Sequence, residues 1–190
     1  MKLKYEHVQI DLETLDTQPG GVILSIGAVL FDPKSPVESC LGPEFYCVIK
    51  KQSCLDFGLT VSEDTLGWWE KQSAEAQTVL GQATIGENAF YLPESLKALA
   101  KFLPVGVKVW SNGANFDQPL LDVAYFRAGI PLPWKYYNSR CYRTIKGLCS
   151  KEDIKALEPE VVCAHNALED AKWQAKHMVA IGHKLGLEIN

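Results

Sequence analysis

The chain is poor in several features, and each absence narrows the field. None of its six cysteines (Cys40, Cys47, Cys54, Cys141, Cys149 and Cys163) falls in a CxxC pair, which argues against a closed zinc site. No apolar run is long enough to span a bilayer. The opening residues, MKLKYEHVQID, have no apolar stretch ahead of their acids, so no secretory signal is expected. The thiols are therefore expected to be reduced in a cytoplasmic setting, with no structural disulfide. There is no internal repeat, no low-complexity tract and no Gly-rich phosphate cradle. Between Val123 and Lys151 there is also no aspartate or glutamate at all.

That acid-free window holds Arg127, Lys135, Arg140, Arg143, Lys146 and Lys151, interleaved with Tyr125, Phe126, Trp134, Tyr136, Tyr137 and Tyr142. All 23 acids lie elsewhere, so the net charge of −4 combines one basic segment with a strongly acidic remainder. Basic residues interleaved with aromatics suit a phosphate backbone with stacking bases. They equally suit core aromatics beside a solvated charged face. With 190 residues, 47% hydrophobic and 22% charged, the composition is that of one ordinary soluble domain spanning 1–190.

Residues 8 to 14 read VQIDLET. Alternation makes this a strand, with Val8, Ile10 and Leu12 on one face and Gln9, Asp11 and Glu13 on the other. Two carboxylates on one face repel each other. Either that face is solvated, or a cation sits between the acids and the pair is half of a metal site. GGVILSIGAVLFD and EFYCVIK read as second and third strands, and short turn-rich links make the three consecutive and antiparallel. Helices are expected over 60–73, with Ser62 as N-cap, over AEAQTVL after Ser73, and over PESLKALAKFL from Pro93. VKVWSN is a short apolar strand. Further helices run from Asp117 to Ala128, from Arg143 to Leu148, and from Asn166 to about Leu185. Strands first, then strands mixed with helices, give an α/β sheet flanked by helices.

Two more segments offer partners for Asp11 and Glu13. In SNGANFDQPLL, Asp117 stands where a helix begins, a position that favours acids in any case. In CAHNALEDAKWQAKH, Asn166 is an N-cap with Glu169 as capping-box glutamate. His165 then lies just outside the helix and Asp170 in its first turn, beside Ala167 and Ala171, which allow close approach to a strand. Four carboxylates and one histidine suit Mg²⁺ or Mn²⁺ better than zinc. Two such ions about 3.5–4 Å apart can clamp the attacking and leaving oxygens of a phosphoryl transfer. Histidine, which changes charge nearest neutral pH, is the natural base for the attacking water.

These residues resemble the DEDDh 3′–5′ exonucleases. The likeness rests on Asp11-x-Glu13-Thr14, on Phe116-Asp117 after an Asn/Gly-rich loop, and on His165-x-Ala167-x-x-Asp170, in that order across nearly the whole chain. Within that family the segments GWWEKQSAEA, VWSNGANFDQPLL, PWKYYNSRCYRT and CAHNALEDA look like the branch of phage exonuclease A and phage or prophage proteins labelled exodeoxyribonuclease VIII. A mycobacterial exoribonuclease is a more distant likeness. The resemblance implies a ribonuclease H-like mixed sheet, with three antiparallel strands plus parallel strands flanked by helices. It implies two divalent ions, Mg²⁺ or Mn²⁺, on Asp11, Glu13, Asp117 and Asp170, with His165 as general base. Thr14, Leu15 and Phe116 would meet the 3′-terminal nucleotide, and Arg140 and Arg143 the phosphates. The substrate class would be single-stranded nucleic acid with a free 3′ end, DNA slightly ahead of RNA, and a homodimer is compatible; the alternatives are an exoribonuclease that trims RNA and a non-catalytic nucleic-acid binding module on the same fold. Two departures stand out. Cys141 replaces the acid of the branch's Arg-Asp-x-Arg-Thr, and Leu15-Asp16 follows Glu-Thr where relatives often carry Gly. The adjacent Trp68 and Trp69 read as packing anchors before base-stackers.

Overall fold

The computed structural model describes residues 5–86, 88–113, 115–160 and 165–190. In chain order the elements are β1 (His7–Thr14), β2 (Ile23–Phe31), β3 (Leu41–Val48), α1 (Lys51–Asp56), α2 (Glu63–Trp69), α3 (Ala74–Ile85), α4 (Leu92–Phe102), β4 (Lys108–Ser111), α5 (Asp117–Arg127), β5 (Ser139–Cys141), α6 (Tyr142–Lys146), α7 (Lys151–Ala156) and α8 (Ala167–Leu185). One five-stranded sheet has the order β3-β2-β1-β4-β5. β1/β2 and β2/β3 pair antiparallel, while β1/β4 and β4/β5 pair parallel. This is the expected mixed sheet. The short α1, β5 and α7 escape sequence reading because three to six residues leave no period to detect.

Local chemistry sets the helix starts. Ser62 accepts the N–H of Thr65, Ser73 that of Ala76, Ser150 that of Asp153, and Asn166 those of Leu168 and Glu169. The capping-box role expected of Glu169 is not used. Its carboxylate pairs at 3.0 Å with Lys172, which also reaches Glu44.

Both faces of the sheet are covered. Val8, Ile10 and Leu12 of β1 join Ile26, Ala28 and Val109 in a core completed by Leu96 and Leu99 of α4 and Leu121 and Tyr125 of α5. On the opposite face Val29, Phe31 and Trp110 pack on Ala171, Ala175 and Met178 of α8. No disulfide links Cys40, Cys47, Cys54, Cys141 or Cys149, all free thiols, and Cys163 lies outside the described residues. Among those residues no helix is long and apolar enough to cross a membrane.

One contact sets where α8 sits. Gly27 of β2 lies opposite Asp11 in register. A Cβ there would come within 2.1 Å of the Ala167 carbonyl carbon. The first turn of α8 therefore rests directly on the strand backbone. That close approach carries Asp170 onto the acidic face of β1.

Candidate active site

The carboxyl ends of β1 and β4, the start of α5 and the start of α8 surround a cleft of about 640 Å³. Asp11, Glu13, Thr14, Phe116, His165 and Asp170 line it. Asp117 is buried just behind, 2% exposed. Its carboxylate is held by backbone N–H groups at its own residue, Leu12 and Asn112. The four acids that lie up to 159 positions apart in sequence thus meet in one place.

The acidic face of β1 is largely withdrawn from solvent, with Asp11 part-exposed at the cleft. Gln9 is fully buried and Glu13 is 7% exposed. Burial pushes the Glu13 carboxyl up to about 8, with Asp170 and Asp117 adding repulsion. Burial likewise raises Asp117 to about 7, against the pull of its backbone hydrogen bonds and the Arg143 guanidinium. Asp11 is held well above the ordinary carboxylate range by burial, then by Asp117 and Glu13. Asp170 is raised by burial and opposed by His165. No Lys or Arg ion pair relieves these acids among the described residues. Glu13, His165 and Asp170 each offer a donor atom within 4.8 Å of the others. A cluster of hard oxygens that repel one another, with one imidazole beside them, matches the ligand chemistry of a divalent cation.

His165 has a left-handed backbone, φ 60°, which only local structure makes tolerable in a non-glycine residue. Its N–H donates to Asp170 Oδ2 at 3.1 Å, tying the loop to the helix. Its ring meets Trp68 edge-on at 5.0 Å between centroids. The two tryptophans divide the roles that sequence alone left joined. Trp69 is buried and donates its indole N–H to the Thr14 carbonyl at 2.8 Å, as an anchor does. Trp68 is 42% exposed and stands in the cleft wall. Residues on an amphipathic helix differ in face, and adjacency in sequence hides that difference.

The nucleotide-contact residues also divide. Thr14 and Phe116 reach the cleft. Leu15 does not, because its side chain is fully buried in the core. Its main chain is fixed by the Val22 carbonyl at 2.9 Å and the Ser62 N–H at 2.8 Å. Arg143 reaches the rim, donating to the Asn112 carbonyl at 2.8 Å. Arg140 turns away onto the carbonyls of Tyr137 and Ser139, at 2.7 and 3.0 Å. Of the aromatics in the acid-free window, Tyr125, Trp134 and Tyr142 are core, while Phe126, Tyr136 and Tyr137 are exposed. Half of the window's aromatics are thus core, and the other half lie on the surface.

Sequence reading missed Gln174. It lines the cleft and donates to Asp11 Oδ1 at 2.8 Å. Its signal was present, since it lies one helical turn beyond Asp170 on α8.

Four acids and a histidine gathered at the carboxyl end of an α/β sheet fit the donor chemistry of a divalent-cation site, and solved structures share the fold. The nuclease domain of 3′hExo, a DEDDh family member, bound to rAMP, has a TM-score of 0.61 at 13% identity, over 100% of this chain and 98% of that one. The RNase domain of the yeast Pop2 protein has a TM-score of 0.60 at 11% identity, over 95% and 78% respectively. No curated protein sequence matches. Residues 6–182 match the Rv2179c-like 3′–5′ exoribonuclease domain, and the chain belongs to that family. It is thus a nuclease of the 3′–5′ exonuclease class, acting on nucleic acid. The narrower likeness to the phage branch finds no support in these comparisons.

Proposed function

We propose that residues 1–190 form one exonuclease domain that removes nucleotides from the free 3′ end of single-stranded RNA, using two divalent cations, Mg²⁺ or Mn²⁺. The observation that carries this is the set of mutually repelling carboxyls at the cleft (Asp11, Glu13 and Asp117, with Asp170 beside them), none of them in an ion pair with Lys or Arg among the described residues. Those four would hold the cations, which when bound neutralise the acids and stabilise charge on the attacking and leaving oxygens. The family description favours RNA over the DNA preferred on sequence likeness alone.

The chain's own residues supply the rest. His165, beside Glu13 and Asp170, takes the proton of the attacking water as general base. The Asp170 carboxylate that accepts the His165 N–H holds that loop in place. Phe116, Thr14 and the exposed face of Trp68 enclose the terminal nucleoside. Arg143, anchored on the loop that leads to Asp117, meets a backbone phosphate. The strand upstream leaves along β5, the outermost strand, past Tyr137 and Tyr136.

Matched single-stranded RNA and DNA oligonucleotides, each digested with Mn²⁺ or Mg²⁺, test this reading. RNA shortening from the 3′ end, stopped by chelator and restored by excess cation, is expected. Cleavage that ignores the chelator would overturn the metal role, and faster loss of DNA would overturn the RNA assignment.

A further inference from the structure

Two buried amides stand behind Asp11 in an unusual arrangement. Gln174 Nε2 donates to Asp11 Oδ1 at 2.8 Å. Gln174 Oε1 in turn accepts from Gln9 Nε2 at 2.6 Å. Gln9 is fully buried and Gln174 is 5% exposed. Among the described residues, Gln9 Nε2 makes one further, long contact, 3.4 Å to the Ile10 carbonyl, and Gln9 Oε1 has no partner.

Two neighbouring amides can pair reciprocally, each N–H to the other's carbonyl, and leave neither carbonyl without a donor. Here they run head to tail instead. A carboxylate that is ionised when it holds a cation only accepts, so in that state Gln174 must turn its NH₂ toward Asp11. Its carbonyl then needs a donor, which is the Gln9 NH₂. The deficit is passed to the far end and stranded on Gln9 Oε1, at a cost typical of a buried unpartnered acceptor. A packing role for either glutamine gives no reason to bear that cost. A need for a neutral, fixed donor at Asp11 does. A lysine or arginine would also donate, but its charge would compete with a cation for the same carboxylate.

We propose that Gln174 is a positioning residue for Asp11, and that Gln9 fixes the direction of its amide. One Asp11 oxygen is pinned toward the helix, and the other is left to face the cation. The idea rests on the metal-site reading of Asp11 above.

The test is Mn²⁺ binding to the metal-free protein by calorimetry. Partners of metal ligands typically change affinity by about 10–100-fold when removed. Gln174→Met, close in size, is expected to weaken Mn²⁺ binding by about tenfold or more, with turnover recovering at saturating Mn²⁺. Gln9→Met leaves the donor in place but frees it to rotate. It also deletes the stranded carbonyl, so it is expected to weaken binding by a smaller factor without lowering the melting temperature. Mn²⁺ affinity unchanged in either variant would overturn the proposal, as would a Gln174→Met protein whose turnover stays low at saturating Mn²⁺. Asp11→Asn separates the two levels. If that variant binds Mn²⁺ as the wild type does, the metal site itself is misassigned. If it loses binding while Gln174→Met keeps it, only the glutamine relay fails.

Discussion

The two faces of β1 are both covered, with only Asp11 among their residues part-exposed at the cleft, and they differ in chemistry. Val8, Ile10 and Leu12 lie within 5% of full burial in an apolar core. Gln9, Asp11 and Glu13, one residue out of phase, are covered by α8 and carry two acids and an amide. The even-numbered face gains from burial. The odd-numbered face loses, because desolvation and repulsion penalise each carboxylate. A polypeptide that turned this strand by one residue would exchange the two. The proposed site thus lies where burial is unfavourable, as expected of a site that a ligand completes.

Breaking the odd face should cost activity and spare stability. Glu13→Gln is expected to lower exonuclease turnover on the order of 10³-fold or more, as loss of a charge-positioning group does. In chelator the same variant should melt no lower than wild type, because the carboxyl it replaces is pushed up to about 8. A fall of several degrees would contradict the repulsion account. His165→Ala should reduce turnover by about 10²–10⁴-fold while Mn²⁺ binding by calorimetry survives. Loss of binding in that variant would make His165 a ligand.

Breaking the even face should do the reverse. Ile10→Ala removes a fully buried side chain and is expected to cost about 2–5 kcal/mol in denaturant unfolding. The specific activity of the folded fraction should stay near that of wild type. Gly27→Ala acts on both, because its methyl meets the backbone of Ala167 and Leu168. It should destabilise by about 1–3 kcal/mol and shift α8, so that activity falls further than stability explains.

pH sharpens the contrast. A carboxyl raised by folding binds its proton more tightly in the native state than in the unfolded one. The metal-free protein should therefore lose stability as pH rises from about 4.5 to about 8, the ordinary and folded values for Glu13. Added Mn²⁺ should flatten that slope. His7, at the far end of β1, works in the opposite sense. Burial lowers it from 6.5 to about 4, and its Nδ1 accepts the Trp110 indole N–H at 3.0 Å. The unfolded chain takes up that proton first, so the His7 contribution falls as pH drops below about 6.5, by about 3 kcal/mol in all near pH 4, and it offsets the Glu13 contribution between about 4.5 and 6.5, leaving the Glu13 slope visible above about 6.5. Thermal melts across pH 4 to 8, with and without Mn²⁺, measure both limbs.

Much of this could be seen in the residues before the fold. The period of two in VQIDLET separates the faces of β1, and the caps at Ser62, Ser73 and Asn166 mark helix starts because capping is local chemistry. The acids were legible as a set since their spacings follow a known pattern. Depth was not legible. Whether Asp11 and Glu13 faced water depended on α8 lying on Gly27, a contact between residues 140 positions apart. The same limit explains Leu15, which lies beside the site in sequence and in the core in space. It explains Trp68 and Trp69 too, neighbours with opposite exposures. Gln9 was visible on the acidic face, but its link to Gln174 spans 165 positions.

Digestion of a 5′-labelled single-stranded RNA by wild type and Glu13→Gln, side by side in Mn²⁺, tests the central claim most directly. A ladder that shortens one nucleotide at a time from the 3′ end, absent in the variant, is the predicted result. An equal ladder in both proteins, or internal cuts without end trimming, would contradict the assignment of the odd face of β1 as a metal-dependent 3′–5′ exonuclease site.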